Sequence, residues 1–155
     1  MKEQPYGTVS PFSRPATADK VLDQFFDMTR ELKIKAFLMY GLCLGFYRDG
    51  GYINGDNDLD VGVICSERKR KKLLASLKEG GFTQGELFRR NMHFHKDRIL
   101  VDLHFRESNG GLYSTLKNIG YKDKEYPAPH PIEPYLAACY RHWERKTNRT
   151  RRRVL

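Results

Sequence analysis

The sequence predicts an α+β (α/β) fold in which helices pack on a small mixed sheet. Apolar residues recur at helical spacing over residues 17–33, whereas residues 58–64 alternate with period two. Two more alternating segments, 91–95 and 98–105, are separated only by Lys96-Asp97, which is typical of a β-hairpin. Helical and strand patterns therefore share a chain of 155 residues, a length that favours one layered domain.

The N-terminal region is predicted to be an arm followed by a helix. Residues 1–16 are rich in Pro, Ser and Gly and show no apolar period. Thr17 can cap a helix that runs to about Lys33. The apolar stripe of this helix comprises Val21, Leu22, Phe25, Phe26, Met28 and Leu32.

Short elements follow this helix. The apolar run 36–40 predicts a buried strand, and residues 42–48 predict a short helix ended by Asp49-Gly50-Gly51. Ser66 is placed to cap a third helix, which stops at Gly80-Gly81.

The C-terminal part is predicted to be a connection, a helix and a tail. Residues 126–134 are rich in proline, and residues 133–145 show the last helical pattern. The single domain is accordingly predicted over 17–146, followed by a basic tail over 147–155.

Composition excludes some classes of protein. The chain is 39% hydrophobic and 30% charged with a mean hydropathy of −0.68, which is typical of a soluble globular protein. No apolar run approaches the ~20 residues needed to cross a bilayer. The first residues lack a signal-peptide pattern, so a cytoplasmic location is expected. Cys43, Cys65 and Cys139 form no CxxC pair and predict neither a disulfide framework nor a zinc knuckle.

The positive charge is concentrated at one end. Seven Lys and Arg residues and one acid lie between Arg141 and Arg153, so most of the formal net charge of +9 lies there. Such a tail is compatible with a nucleic-acid partner without being the reason for the domain. The run 68–72 is also basic and is interpreted as a solvated face or a remote docking patch.

The most informative segment is acidic. Asp58 and Asp60 are two residues apart in a predicted strand and therefore share a face, and Asp56 continues the row if the strand begins early. Two carboxylates about 5 Å apart repel by roughly 3 kcal/mol at an effective dielectric constant near 20. A bound cation removes this repulsion, and carboxylate oxygens suit Mg²⁺.

The predicted hairpin supplies a third carboxylate. With Lys96-Asp97 as the turn, the opposed pairs are Asn91 with Asp102, His93 with Leu100, and His95 with Arg98. Asp102 then shares a polar face with Asn91, His93 and His104, and we expect it to lie beside the Asp58 strand. A zinc site formed by Asp102 with His93, His95 and His104 is a weaker alternative.

Three carboxylates can hold two divalent ions for phosphoryl or nucleotidyl transfer. Asp102 could also act as the general base for an acceptor hydroxyl. Gly41, at a strand-to-helix turn, lets backbone N–H groups approach a phosphate. Arg48 either pairs with an acid or meets a substrate phosphate.

This pattern resembles the polymerase-β type of nucleotidyltransferase, and most closely its LicD-like group of phosphocholine and phosphosugar transferases. The matching segments are Gly41-Leu42-Cys43-Leu44-Gly45, Arg48, Gly50-Gly51-Tyr52-Ile53 and Asp56-Asn57-Asp58-Leu59-Asp60-Val61. A weaker similarity continues through Tyr126-Pro127-Ala128-Pro129, Glu133-Pro134-Tyr135-Leu136, Tyr140 and Trp143.

The resemblance implies a nucleotidyltransferase-type fold and a Mg²⁺ (or Mn²⁺) cofactor. It implies transfer of a phospho-alcohol group from a CDP-linked donor to a sugar hydroxyl. The implied catalytic and metal-binding residues are Asp58, Asp60 and Asp102, and those for donor binding are Gly41, Leu42 and Arg48.

The sequence also departs from the family pattern. Leu42 replaces a small hydroxyl residue, Asn54-Gly55 replaces Pro-Trp, Asn57 replaces an Asp, and Arg141 replaces a Gly. These departures bear on substrate choice and turnover, since Asp58 and Asp60 are kept. Two alternatives stay open: nucleotidyl transfer to RNA or protein, and a non-catalytic module that binds nucleic acid or protein.

Overall fold

The computed structural model describes residues 7–107 and 111–146 and contains a mixed sheet with flanking helices. Its helices are α1 (Pro15–Glu31), α2 (Tyr40–Leu44), which continues as a π-helix over Gly45–Asp49, α3 (Glu67–Glu79) and α4 (Ile132–Cys139). Its strands are β1 (Lys35–Leu38), β2 (Asp58–Ile64), β3 (Thr83–Leu87), β4 (Asn91–Lys96), β5 (Ile99–Phe105), β6 (Leu116–Tyr121) and β7 (Lys124–Pro129). The predicted basic tail, 147–155, lies outside the described residues, as do residues 1–6 of the predicted arm.

The main sheet has five strands in the order β1-β2-β5-β4-β3. β2 and β5 run parallel, whereas the other neighbouring pairs run antiparallel. β6 and β7 form a separate two-stranded sheet. This arrangement confirms the predicted α+β class with a mixed sheet.

The hydrophobic core includes the apolar side chains that alternate along β2. Leu59, Val61 and Val63 alternate along β2 and are at most 1% exposed, as the period-two pattern predicts. The predicted stripe of α1 is buried at Val21, Leu22, Phe25 and Phe26 and only partly buried at Met28 and Leu32. Among the described residues, no helix has the length and apolar character needed to span a bilayer.

Two predicted helix starts are wrong. α1 begins at Pro15, inside the predicted arm, because proline fits the first turn of a helix, where its missing N–H is not needed. Thr17 therefore lies within the first turn and is not the cap. The strand predicted over 36–40 ends at Leu38, and the second helix begins at Tyr40, whose φ is +45°.

The hairpin of β4 and β5 forms with a register that differs from the predicted one. Asp97 and Arg98 both have positive φ, so the two-residue loop lies one position later than predicted. The observed pairs are Asn91 with His104, His93 with Asp102, His95 with Leu100, and Lys96 with Ile99. Because the register shifts by two residues, every side chain keeps its predicted face.

The C-terminal region contains more strand and less helix than predicted. β7 contains Pro127 and Pro129 and lies in a two-stranded sheet, where proline is tolerated because the sheet has only edges. The last helix ends at Cys139 and not near residue 145. β3 was also missed, since its side chains are largely exposed and show no apolar alternation.

At Gly62 of β2, even the small side chain of alanine is expected to lower stability. A Cβ atom there would lie 2.6 Å from Met39 Sδ and 2.7 Å from Phe37 Cζ, both in buried side chains. We expect Gly62→Ala to lower the free energy of unfolding by about 1–3 kcal/mol, measured by urea denaturation. Gly120→Ala is the matched strand control, because nothing lies within 4 Å of its Cβ position. Equal losses in the two variants would contradict this packing argument.

Candidate active site

The parallel pairing of β2 with β5 creates a row of acidic side chains. Asp60 and Asp102 are direct partners across the two strands and are 5% and 8% exposed. Asp58 lies two residues before Asp60 and thus on the same face, where it is partly buried. The structure therefore brings the three predicted carboxylates to one face of the sheet, opposite the face of Leu59, Val61 and Val63.

His104 lies between two of these carboxylates. Its Nε2 atom is 3.1 Å from Asp60 Oδ1 and 3.3 Å from Asp102 Oδ2. Its Nδ1 atom is 3.3 Å from Arg106 Nη2, and a guanidinium can only donate, so Nδ1 accepts. In the neutral ring the hydrogen is then on Nε2 and points toward the carboxylates. His104 thus lowers the repulsion between Asp60 and Asp102.

Asp102 has further polar partners on β4. Asn91 Nδ2 donates to Asp102 Oδ1 at 2.8 Å, and His93 Nε2 lies 3.6 Å from the same oxygen. Burial alone raises the pKa of Asp102, but the hydrogen bonds from His104 and Asn91 outweigh it and leave the pKa below its ordinary value. Asp102 is therefore held ionised, which suits a cation ligand.

Asp58 has the opposite electrostatic environment. Its pKa lies well above the ordinary value, first because of burial and then because Asp60, Asp56 and Asp102 repel its negative charge. A bound cation would reverse this repulsion. Asp60, Asp102 and His104 each offer one ligand atom, and these atoms all lie within 4.8 Å of one another. The carboxylate oxygens of Asp60 and Asp102 fit Mg²⁺ or Mn²⁺, and His104 would add a nitrogen ligand once its Nε2 gives up its hydrogen.

Gly41 lies against the acidic row. A Cβ atom at this position would lie 3.0 Å from Asp56 Cγ and would clash with Asp56 Oδ2, so the close approach of this carboxylate requires glycine. β2 begins at Asp58, so Asp56 lies outside the strand, between Gly41 and the charge of Asp58 that it repels. The predicted contact of Gly41 with phosphate stays a prediction.

The structure places Leu42 and Arg48 in packed environments. The Leu42 side chain is 2% exposed, so only its backbone is left for a ligand. Arg48 forms an ion pair with Asp49, with Nε 2.7 Å from Oδ1, and Nη1 donates to the carbonyls of Trp143 and Arg145. Arg48 therefore pairs with an acid, one of its two predicted roles. Its predicted role in donor binding is not tested by these contacts.

Two further residues beside the cluster were not predicted from the sequence. Arg106 Nη2 donates to the Tyr40 hydroxyl at 3.4 Å, and the Tyr40 ring lies 5.3 Å from the His104 ring. Arg106 could have been found, because it continues the period-two face of Asp102 and His104 beyond the strand. Tyr40 could not, because its contact depends on how α2 packs on the sheet.

The comparison with protein families agrees with this geometry. The family model described as LicD/FKTN/FKRP, nucleotidyltransferase domain, matches residues 33–130, which is more than half of the chain. The chain belongs to the LicD family. The LicD match contains the whole carboxylate cluster, whereas the similarity noted for 133–143 lies beyond it.

Solved structures with the same fold are nucleotidyltransferases. The lincomycin-bound lincosamide antibiotic adenylyltransferase LnuA has a TM-score of 0.58 at 17% identity, covering 76% of this chain and 83% of its own. The antibiotic-resistance factor ANT(2'')-Ia has a TM-score of 0.60 at 11% identity, covering 74% and 65%. The structure of ANT(2'')-Ia in complex with adenylyl-2''-tobramycin has a TM-score of 0.50 at 14% identity, covering 88% of this chain and 68% of its own. A search of curated proteins gives no match. This LicD-family chain is therefore a transferase of the nucleotidyltransferase type.

Proposed function

We propose that the protein transfers a phospho-alcohol group, such as phosphocholine, from a CDP-linked donor to a sugar hydroxyl. The observation that carries the proposal is the pairing of Asp60 with Asp102, with Asp58 on the same face, in a LicD-family chain. Two acidic residues alone would not indicate phosphoryl transfer. Three carboxylates on one sheet face are the donor set that phosphoryl transfer with divalent ions needs.

Asp58, Asp60 and Asp102 are the proposed ligands of Mg²⁺ or Mn²⁺. When bound, the metal would neutralise phosphate charge and lower the pKa of the acceptor hydroxyl. The support is electrostatic: Asp102 is held ionised, whereas the charge on Asp58 is opposed by its neighbours. Backbone N–H groups of Gly41 and Leu42 are the proposed contacts for the donor phosphates.

The proposed step is a displacement at phosphorus. The acceptor hydroxyl oxygen forms a bond to the phosphorus of the phospho-alcohol group. The bond from that phosphorus to the oxygen of cytidine monophosphate breaks, and cytidine monophosphate leaves with the bonding pair. Asp102 takes the hydroxyl proton, which a carboxylate of low pKa can do when the hydroxyl itself has been made more acidic.

Release of cytidine monophosphate tests this function. The protein is incubated with CDP-choline, Mg²⁺ or Mn²⁺ and a panel of sugars, and products are followed by chromatography. We expect release that stops with EDTA and falls about 10³-fold or more in Asp102→Asn, because both a metal ligand and the base are lost. Asp123→Asn is the control, since Asp123 is an exposed acid in the β6–β7 turn. Release that survives both EDTA and Asp102→Asn would contradict the proposal.

Nucleotidyl transfer to a hydroxyl is the second candidate function. It is favoured by the fold neighbours LnuA and ANT(2'')-Ia, the first described as an adenylyltransferase and the second solved with an adenylylated antibiotic. Labelled nucleoside triphosphates with sugars, RNA or protein as acceptors would separate it from transfer of phosphocholine. Deleting residues 145–155 tests the binding-module alternative, because an enzyme should keep its turnover without the basic tail.

A further inference from the structure

A second polar site lies where β2 and β5 end. A cavity of about 250 Å³ opens there, and four arginines from three parts of the chain line it. They are Arg70 on α3, Arg89 and Arg90 in the β3–β4 turn, and Arg106 just after β5. No part of the function proposed above uses this cavity.

The charges around the cavity are not balanced within the protein. The acidic residues of its lining are Glu67 and Glu107, so the lining has a formal excess of two positive charges. Within residues 7–107 and 111–146, none of the four arginines forms an ion pair with a carboxylate. Guanidinium groups that converge without carboxylate partners attract an anion from solution.

The described contacts of these arginines are with neutral groups. The guanidinium carbon of Arg70 lies 3.8 Å from the centre of the Phe105 ring, a cation–π contact. The Arg106 guanidinium bonds to the Tyr40 hydroxyl, the His104 ring and the Phe105 carbonyl. These contacts position the guanidinium groups of Arg70 and Arg106 without neutralising their positive charges.

Arg106 connects the cavity to the carboxylate cluster. Arg106 is one of the lining residues, and its guanidinium lies 3.3 Å from His104 Nδ1, while His104 bridges Asp60 and Asp102. Along β5, Arg106 is four residues beyond Asp102, about 13 Å at 3.3 Å per residue. The cavity therefore lies at the ends of β2 and β5, separate from the carboxylate cluster, and Arg106 belongs to the surroundings of both.

We propose that this cavity binds a phosphate group carried by the acceptor, which holds the acceptor hydroxyl toward the carboxylate cluster. A phosphate monoester has a charge near −2 at neutral pH, which matches the excess of the lining. Arginine is suited to phosphate because its planar fork donates two parallel hydrogen bonds. That the phosphate belongs to an acceptor rests on the proposed function, whereas phosphate binding itself does not.

The test is calorimetric titration in EDTA with inorganic phosphate and with glucose 6-phosphate. Both should bind, and we expect about tenfold weaker binding in Arg70→Gln and in the double variant Arg89→Gln/Arg90→Gln. The double variant changes two exposed side chains, so its fold should be kept. Arg68→Gln is the matched control, because Arg68 is an exposed arginine of α3 outside the cavity lining.

Several outcomes would overturn this inference. One is the absence of phosphate binding at millimolar concentrations. Another is a loss of phosphate affinity in Arg68→Gln equal to that in the cavity variants, which would indicate unspecific attraction to a basic surface. Tighter binding of cytidine monophosphate than of glucose 6-phosphate, lost in the same variants, would assign the cavity to the donor. If phosphate binds but CDP-choline is not consumed, the cavity stands and the proposed function fails.

Discussion

Asp58→Asn is expected to abolish Mg²⁺ or Mn²⁺ binding and to lower turnover about 10³-fold, while making the metal-free protein more stable. Metal binding is lost because an amide cannot replace the charge of a carboxylate ligand. Stability rises because the substitution removes repulsion from Asp60, Asp56 and Asp102. Opposite effects on metal affinity and on stability distinguish a metal site from a structural acid, whose removal would lower stability.

The stability gain should depend on pH. The folded-state pKa of Asp58 is raised, so the wild-type protein loses stability as pH rises above the unfolded value, about 4. Asp58→Asn should therefore be more stable than the wild-type protein at pH 7, and this gain should shrink as pH falls and vanish well below pH 4, where Asp58 is protonated in both states.

Calorimetry with Mn²⁺ and urea denaturation in EDTA at both pH values measure these effects. Asp123→Asn serves as the control for loss of an exposed acid. Unchanged metal affinity in Asp58→Asn, or a loss of metal-free stability at pH 7, would show that Asp58 is not part of a cation site.

Arg48→Gln should be strongly destabilising. The Arg48 and Asp49 side chains are 7% and 8% exposed, and the guanidinium also bonds to the carbonyls of Trp143 and Arg145. Removing the cation leaves a buried carboxylate unpaired and two backbone acceptors without this donor. We expect a loss of about 3–5 kcal/mol in the free energy of unfolding, measured with urea.

Two comparisons isolate the buried pair. Arg30→Gln breaks an exposed pair with Asp27, whose side chains are 62% and 65% exposed, and should cost at most about 0.5 kcal/mol. Arg48→Gln/Asp49→Asn removes both charges and should recover part of the loss. If Arg48→Gln costs no more than Arg30→Gln, the pair does not hold the C-terminal segment in place.

The arrangement of the carboxylates follows from local periodicity. Asp58, Asp60 and Asp102 were assigned to their faces from period two alone, and this assignment survived an error of two residues in the hairpin register. Their adjacency needed one further fact, the parallel pairing of β2 with β5. Alternation gives the direction of a side chain but not which strands are neighbours.

The contacts that the sequence did not reveal are long-range. Arg48 donates to the carbonyls of Trp143 and Arg145, which lie almost a hundred positions later in the chain. The Tyr135 hydroxyl accepts from the Tyr40 backbone N–H at 2.9 Å and so connects α4 to the start of α2. Neither contact has a local pattern, because both depend on how separate elements pack. The β6–β7 hairpin was missed for a related reason: its prolines are typical of loops and are tolerated only because both strands are edges.

The parallel pairing of β2 with β5 also determines when the proposed metal ligands can come together during synthesis. A tight turn cannot join parallel strands, and here α3, β3 and β4 occupy the crossover between them. A nascent chain that ends before Asp102 carries an acidic strand without its counterpart. Metal capture should therefore report completion of the central sheet, and a truncated chain without β5 should bind cations no better than a cluster of solvated acids.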